Sequence, residues 1–390
     1  MINKEIRNNI LDILVNFAQM KHLDYFKELG IKKKRKIDTI NALLDYLGSN
    51  EDIMDEFKEW LQTLTMDGYN SYYVFDFNGN LRKNKEEILN QSITDITLVN
   101  KENIKETKLI YLNYKEDKQK IIARYVSPAD VVKYYYDDDG NQQIKIEKSL
   151  YFANIYVDIE RNQIIVAIHP TKDISNIEKM PVSYREYKQV AVNYLNKATE
   201  LFGIDEIVDC KEWIYKALNS FAEEASHHNN PDITAKCTEA SNKIDNFVEL
   251  LLNESGIATS ASKQYMKEEI NILFENILAE EYGVIEIDDS YSLCSQNGEG
   301  VNSFVKVGSK TSALKVGRES AIAKSSRNNS DLALLCVMKQ IDGNMRRFVI
   351  EVEENAENYI VKTDTSIYIE EKVIYDVIRK VSSYKPMPTK

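Results

Sequence analysis

Apolar residues recur at helical spacing near the start of the chain. Ile6, Ile10 and Leu14 are four positions apart, which places them on one face of a helix. A second apolar stripe covers residues 37–47 and is followed at once by a glycine, a common helix stop. The pattern predicts an N-terminal helical domain over residues 1–66.

The period of the pattern changes from about residue 69. Short runs of alternating apolar and polar residues follow one another, as expected for half-buried strands. Two of these runs, Lys120–Val126 and Gln143–Glu147, flank Asp137–Asn141, where an Asp-Gly pair favours a hairpin turn. We therefore expect a mainly antiparallel, β-rich domain over residues 69–170.

Helical periodicity returns between residues 182 and 283. Four apolar stripes begin at Tyr187, Trp213, Ile244 and Met266, and three of them end at a glycine. This region is predicted to be a second helical bundle.

The remaining residues, 284–390, combine a Gly/Ser/Lys-rich stretch with three short strand-like runs and a final helix over residues 371–381. The runs cover residues 332–338, 346–352 and 366–369. A C-terminal α+β domain is expected here, and the whole chain is predicted to be a multidomain α+β protein.

Composition and charge narrow the class of protein. The 390 residues are 43% hydrophobic and 29% charged, which is typical of globular domains and excludes a disordered or collagen-like chain. No apolar run approaches the ~20 residues of a membrane span, and the charged N-terminus does not resemble a signal peptide. Four widely spaced cysteines without a CxxC pair indicate reduced thiols. We expect a cytoplasmic protein that does not interact with membranes.

The formal net charge of −12 is unevenly distributed. The first basic segment, Lys32–Lys36, contributes five positive charges in five residues. The second basic segment, Val301–Arg327, has six basic residues against one acidic residue. Within it, Val305–Gly308 is echoed by Leu314–Gly317, which suggests strands that alternate with glycine turns. Such local excesses can attract a polyanion even when the whole chain is acidic.

The first basic segment lies within a recognisable pattern. Leu29-Gly30-Ile31, the lysine run and the apolar residues of 37–47 resemble the second half of a SAP-type, or Rho-N-like, nucleic-acid-binding helical motif. The resemblance covers residues 20–47 and implies contact of the lysine run with DNA or RNA. Lysines replace the second glycine that this family often has in the turn, and the arginine common in its second helix is absent.

The leading hypothesis is therefore a non-catalytic protein that binds the phosphate backbone of DNA or RNA. Both basic segments would supply the contacts. The predicted binding residues are Lys32, Lys33, Lys34, Arg35, Lys36, Lys306, Lys310, Lys315, Arg318, Lys324 and Arg327.

A protein-protein adaptor or a subunit of a larger assembly, including a homo-oligomer, is the main alternative. Twenty-four tyrosines and amphipathic helices suit interfaces equally well.

A metal-dependent nuclease is the second alternative. Glu370 and Lys372, with an upstream carboxylate such as Glu351 or Glu353, form an acidic-x-lysine pattern that can hold Mg²⁺ and orient water. The same residues are expected where a strand leads into an acidic helix start. Glu223 with His227 and Glu224 with His228 are pairs one helical turn apart, a spacing that can bind zinc, and Cys210 and Cys237 are further candidate ligands. A helix end explains the histidines better. No metal or cofactor is predicted.

Overall fold

A computed structural model describes residues 3–32, 35–137, 140–183, 187–256, 259–300, 303–309, 313–328, 330–363 and 369–386. It confirms the predicted α+β class. The chain divides into two compact units: unit 1 comprises Met1–Val208 and Ile367–Val373, and unit 2 comprises Asp209–Ser366 and Ile374–Lys390. The four-segment division made from the sequence is finer than this one and stays a prediction.

Unit 1 combines helices and strands along its main stretch of chain. Its helices are α1 (Lys4–Phe17), α2 (Met20–Leu23), α3 (Lys36–Ser49), α4 (Met54–Thr63), α5 (Lys85–Leu89) and α6 (Tyr187–Phe202). Its strands are β1 (Ser71–Asn78), β2 (Lys108–Lys115), β3 (Lys120–Tyr136), β4 (Gln142–Asp158), β5 (Gln163–Ile168), β6 (Ile174–Ile177), β7 (Met180–Pro181) and β8 (Glu206–Val208).

Unit 2 is built from helices and a smaller set of strands. Its helices are α7 (Lys211–Ala225), α8 (Pro231–Glu254), α9 (Ser260–Tyr282) and α10 (Gly317–Arg327), and α11 (Glu371–Ser382) begins in the last residues of unit 1. Its strands are β9 (Ser292–Gly300), β10 (Ser303–Gly308), β11 (Asp331–Ile341), β12 (Asn344–Val352) and β13 (Tyr359–Thr363).

The sheet of unit 1 has the antiparallel order β1-β5-β4-β3-β6-β7, with β2 also paired to β3 and β8 to β1. Every residue of β5 is buried, which matches its uninterrupted apolar sequence. Helices α1, α3 and α4 bring Ile10, Leu43 and Trp60 into one core with Val126 and Phe152 of the sheet. This core explains the strong apolar stripes of the N-terminal region.

Helix α6 also packs on this sheet. The Tyr194 ring stacks on Tyr151 of β4 at 6.4 Å, and its hydroxyl lies 2.6 Å from Ser127 Oγ of β3. The sequence pattern grouped α6 with the three helices that follow it. An apolar stripe shows that a helix face is buried, but it does not say which element covers that face.

The strands of unit 2 have the antiparallel order β10-β9-β11-β12-β13. Helix α7 packs against this sheet, and Trp213 meets Tyr359 of β13 edge to face at 5.8 Å. Helices α8 and α9 form an antiparallel pair with Ile244, Val248 and Leu252 at their contact. All four central helices predicted from the sequence are thus present.

The sequence also predicts two local features, a repeated strand-and-turn unit at residues 314–317 and a strand over residues 366–369. The repeat of Leu314–Gly317 is not a second strand and turn, because Gly317, with φ of +86°, begins helix α10. That prediction was wrong: the residues after Gly317 bury Ser320 and Ala323 at helical spacing. Most of the strand predicted over residues 366–369 lies outside the described residues, and Ile369 forms an isolated bridge to Gly68. In the described part of the chain, no helix has the length and apolar character needed to span a bilayer.

Candidate functional site

The first basic segment surrounds the start of α3. Lys33 and Lys34 lie outside the described residues. Lys32 is exposed, and Arg35 occupies the N-cap position with a side chain that is 86% exposed and donates to Asp38 at 3.0 Å. Lys36 instead donates its Nζ to the Val15 carbonyl at 2.7 Å, and burial lowers the pKa of its ammonium group. Lys32 and Arg35 are therefore the described cations best exposed to a polyanion here.

The second basic segment has a different character. Lys315 is only 3% exposed, and its Nζ lies 2.6 Å from Glu286. Lys324 is likewise largely covered, and its Nζ lies 2.8 Å from Glu275 of α9. These two ammonium groups are neutralised by carboxylates from distant parts of the chain.

Arg327 is engaged still more fully. Its guanidinium donates to Gln296 Oε1 at 2.8 Å and to Ser226 Oγ at 3.1 Å, and Gln296 is almost completely buried. Burial lowers the pKa of Arg327 to about 10. Lys310 lies outside the described residues, while Lys306 and Arg318 are exposed. A phosphate-binding role for this segment stays a prediction. Among its described basic residues, only Lys306 and Arg318 favour that role by their exposure.

A polar cavity of about 730 Å³ in unit 2 brings together some residues weighed as zinc ligands. His227, His228, Cys237, Glu223 and Glu275 all line it. Two others do not: Cys210 donates its thiol to the Ala356 carbonyl at 3.2 Å, and Glu224 binds Lys380 at 2.6 Å. Glu275, which the sequence did not single out, is brought into the cavity by α9.

The histidines of this cavity are held by their neighbours. His228 accepts from the Asn230 backbone N–H at Nδ1, and its Nε2 lies 3.6 Å from Glu275. Burial and the adjacent His227 lower the pKa of His228, which favours a neutral ring. Among the described residues, no group of three or more His, Cys, Asp or Glu side chains has the arrangement needed to hold a metal ion.

Glu370 lies between two cations in unit 1. Its carboxylate is 3.1 Å from Lys21 and 2.7 Å from Lys372. The hydrogen bond from Lys372 is the largest effect that lowers the pKa of Glu370. Glu351 belongs to unit 2, where it pairs with Lys362 at 2.5 Å. Glu370 and Glu351 thus have lysine partners, and the nuclease hypothesis stays a prediction.

A cationic cleft in unit 1 was not visible in the sequence. Lys101, Lys105, Lys148 and Lys179 line a cavity of about 160 Å³ in which Asp130 is the carboxylate among the lining residues. We call this the lysine cleft. All four lysines are exposed, and Lys148 also lies 3.0 Å from Glu102. Three separate chain segments contribute, so no run of positive charge marks the cleft in the sequence.

Next to the cleft, β3 and β4 continue together as a two-stranded hairpin. Within the described residues, β6 pairs with β3 only as far as Val131, and β5 pairs with β4 only from Ala153. Residues 132–136 and 142–146, which we call the arm, pair with each other, and at the base of the arm Val132 also donates its backbone N–H to the Asp173 carbonyl at 2.6 Å. The predicted turn is confirmed: Gly140 has φ of +80°, and the Asp137 N–H donates to the Asn141 carbonyl at 3.0 Å.

The two faces of the arm differ in chemistry. Directly opposed residues of an antiparallel pair share a face, and successive residues alternate between faces. The apolar face carries Val132, Tyr134, Tyr136, Ile144 and Ile146, in the pairs Val132–Ile146 and Tyr134–Ile144, and one polar residue, Gln142, opposite Tyr136. Tyr134 is 60% exposed and Ile144 is 63% exposed. Single exposed apolar residues are common on protein surfaces, whereas a contiguous stripe of them such as this one is unusual.

The opposite, polar face of the arm is saturated with ion pairs. Lys133 and Lys145 lie 2.6 and 2.7 Å from the Glu147 carboxylate. Hydrogen bonds from these lysines lower the pKa of Glu147 to about 2. Only Tyr135, 49% exposed, interrupts this polar character. The arm is therefore amphipathic, and its apolar face is the most concentrated exposed apolar surface that we identify in unit 1.

The stretch that resembles a SAP-type motif spans α2, the following 3-10 helix Asp24–Leu29 and α3. Gly30 adopts φ of +74° between the last two, as expected at a helix end. The nucleic-acid contact implied by the resemblance stays a prediction. No protein-family model and no curated protein matches this chain.

Proposed function

We propose that this protein is a subunit of a protein assembly and that it docks through the apolar face of the arm. The observation that carries the proposal is the pairing of exposed Tyr134 and Ile144 on a hairpin whose other face is ion-paired. A two-stranded hairpin is only marginally stable in water by itself. Coverage of one face by a partner would stabilise the arm and remove its apolar surface from water.

Tyrosine and isoleucine suit such a contact. Tyrosine rings combine a large apolar surface with a hydroxyl that can hydrogen-bond, and they are enriched at interfaces. The charged residues that could oppose docking are confined to the other face of the arm. Since none of the four cysteines, all of them among the described residues, forms a disulfide, we place this assembly in a reducing compartment, the cytoplasm.

Photo-cross-linking tests the proposal face by face. A photoreactive phenylalanine replaces Tyr134 in one variant and Tyr135, on the polar face, in its matched control. After irradiation of cells that produce the protein, we expect at least fivefold more protein adduct from position 134. Ile144→Ser in the first variant should remove that adduct, while Lys145→Ser should not. Equal adduct yields at the two positions, or none, would contradict the proposed function.

Binding of a phosphate backbone is the second candidate function. It is favoured by the exposure of Lys32 and Arg35 at the start of α3, where no side chain caps the helix. The free backbone N–H groups and the positive end of the helix dipole would add to the attraction of these cations for phosphate.

Fluorescence anisotropy against duplex DNA, single-stranded DNA and RNA at two salt concentrations tests this second function. Arg35→Glu should weaken binding and lower the slope of log affinity against log salt by about one. Lys216→Glu, the same change of charge at an exposed site of α7, is the control and should leave the slope unchanged. Identical salt dependence of Arg35→Glu and wild type would exclude the first basic segment as a contact.

A further inference from the structure

We propose that Cys294 and Cys336 form a dithiol site in unit 2, which hydrogen peroxide oxidises to an intramolecular disulfide and which a thiol reductant reopens. The two cysteines lie on the neighbouring strands β9 and β11. The site is separate from the arm of unit 1 and does not depend on the function proposed for the arm. A bulge in β9, direct contact of the two sulfur atoms and their burial carry the proposal.

The bulge decides where the Cys294 side chain points. Cys336 is opposite Ser295 and Val337 is opposite Leu293, so Cys294 is an extra residue of β9 at this point of the ladder. In a regular strand Cys294 would point to the side of the sheet away from Ser295, and so away from the side of Cys336. A β-bulge re-aims a side chain, and here it turns Cys294 toward Cys336.

The packing shows that both thiols lie on one face of the sheet. Cys336, Met338 and Val349 share a face, because Cys336 and Met338 are two positions apart on β11 and Val349 is paired with Cys336. Cys294 belongs to the same buried cluster as these three residues. Only 1% of Cys294 and 4% of Cys336 is exposed. The surrounding core therefore holds the two side chains together.

The two sulfur atoms are already in contact. The Cys294 thiol donates to the Cys336 carbonyl at 3.1 Å, and its Sγ lies 2.7 Å from Cys336 Sγ. A disulfide bond of about 2.05 Å requires an approach of only roughly 0.7 Å. Adjacent strands lie about 4.8 Å apart, which is within the Cα separation of about 4.4–6.8 Å that disulfides span. Closure therefore needs an adjustment of the side chains and no rearrangement of the strands.

The other two cysteines have different surroundings. Cys210 donates its thiol to the Ala356 carbonyl at 3.2 Å, and Cys237 lines the polar cavity. Within the described structure, Cys294 and Cys336 are the pair whose sulfur atoms touch. Oxidation of the folded chain should therefore link these two and no other pair.

The oxidation balances with hydrogen peroxide as the oxidant. The thiolate of one cysteine attacks the peroxide, so that an S–O bond forms, the O–O bond breaks and hydroxide leaves. The second thiolate then attacks the sulfenic sulfur, the S–S bond forms, the S–O bond breaks and a second hydroxide leaves. Each hydroxide takes up a proton that a thiol released. Together the two cysteines lose two electrons and two protons, and the peroxide is reduced to two water molecules.

Burial determines which oxidant can react. Glutathione disulfide is too bulky to reach sulfur atoms that are almost fully covered, whereas hydrogen peroxide needs only a small local opening of the strands. Glutathione and thioredoxin keep thiols reduced in the cytoplasm. In that compartment the pair stays reduced until peroxide is present.

Peptide mapping of the purified full-length chain tests the pairing. The chain is treated with hydrogen peroxide, and the remaining thiols are then alkylated in denaturant. We expect a linked pair of peptides that contains Cys294 and Cys336 and whose mass is about 2 Da below that of the two reduced peptides. Dithiothreitol should restore both alkylation sites. Oxidation of the chain unfolded in urea is the control and should give mixed pairings that include Cys210 and Cys237.

Stability provides a second readout. Cys294 and Cys336 are 42 residues apart, so the disulfide constrains a long loop of the unfolded chain. The urea midpoint of unit 2, followed by Trp213 fluorescence in a Trp60→Phe background, should rise by about 1 M on oxidation and return on reduction. Cys237→Ser, which keeps the pair, should show the same rise, whereas Cys294→Ser and Cys294→Ala should show none.

Several results would overturn the proposal. One is that Cys294 and Cys336 can still be alkylated after peroxide treatment, or end as sulfinic acids, and another is a disulfide from either of them to Cys210 or Cys237 in the folded chain. The same pairing in equal yield from the urea-unfolded chain would show that the fold does not direct it. A disulfide that leaves the urea midpoint unchanged would mean that closure strains the strands, which contradicts the sulfur contact. Because the mapping uses the wild-type chain, it decides the question even if the cysteine variants do not fold.

Discussion

Arg327 provides a sharp test of whether the second basic segment is structural. The guanidinium donates to Gln296 Oε1 and Ser226 Oγ, and Gln296 in turn donates to the Ala323 carbonyl at 2.8 Å. Arg327→Ala removes both charge-assisted hydrogen bonds and leaves the Gln296 oxygen buried without this donor. We expect unit 2 to lose stability, because an unsatisfied buried acceptor is unfavourable.

The magnitude follows from two opposing effects. A hydrogen bond to a charged group contributes about 1.5–3 kcal/mol, and an orphaned buried acceptor costs about 1–3 kcal/mol. Against these, the lowered pKa of Arg327 shows that its charge is poorly solvated, so part of the loss is regained when the charge is removed. A net destabilisation of about 2–3 kcal/mol is expected. With a urea m-value of about 2.5 kcal/mol/M, the urea concentration at the unfolding midpoint should fall by about 1 M.

Tryptophan fluorescence can isolate this unfolding. The chain has two tryptophans, Trp60 in unit 1 and Trp213 in unit 2, so a Trp60→Phe background reports on unit 2 through Trp213. Arg318→Ala, at an exposed position of the same helix, is the matched control and should change stability by less than about 0.5 kcal/mol. An Arg327→Ala midpoint equal to that of Arg318→Ala would refute the structural role.

Three further predictions concern other parts of the molecule. Burial is the largest effect on Glu371 and raises the pKa of its carboxyl above 4.5. Between pH 4.5 and the folded pKa, the folded state therefore binds more protons than the unfolded state. Unit 1 should lose stability as the pH rises through that window. Urea unfolding of Glu371→Gln and wild type, followed by Trp60 in a Trp213→Phe background, should show an advantage of the variant that grows with pH; a constant difference would contradict this. Gly308→Ala should destabilise unit 2 by about 1–3 kcal/mol, because the new Cβ would lie 2.8 Å from Ser295 Cβ, and a thermal melt equal to that of wild type would disprove the clash. Lys36→Met should be tolerated better than Lys36→Glu in thermal melts, because a carboxylate at this half-buried position would face the Val15 carbonyl oxygen; equal melting temperatures would count against that contact.

Secondary structure could be predicted from the sequence where burial is one-sided and local. Helix α3 falls close to the apolar stripe of residues 37–47. Strands β2 and β5 fall close to the alternating runs Lys108–Tyr114 and Gln163–His169, which predict strands there. Helix α8 was foreseen only over its C-terminal half, because its first three turns bury little beyond Ile233 and show a weak apolar stripe. The sequence signals for its start are Asn230, which caps the helix, and Pro231 at the first helical position, and neither is part of an apolar stripe.

The arm was missed for a related reason. Alternation predicted strands over only parts of β3 and β4, whereas both are 17 residues long. Pro128 interrupts the pattern, since proline is unfavourable in a central strand. Along β3, the pairing with β2 ends at Val126 and the pairing with β6 begins at Ala129. Pro128 lies between these two residues, so its missing N–H interrupts no ladder on that side of β3. The run Tyr134–Tyr136 then continues the strand with both faces exposed, which no burial pattern can reveal.

Charge density along the chain and charge available at the surface are different quantities in this protein. Lys315 and Lys324 belong to a dense basic run, yet carboxylates 29 and 49 residues away neutralise them. The lysine cleft has no dense run, yet it gathers four exposed lysines from three chain segments. Since an electrostatic partner responds to the charge that remains exposed after folding, the arm and the cleft together are the stronger basis for function.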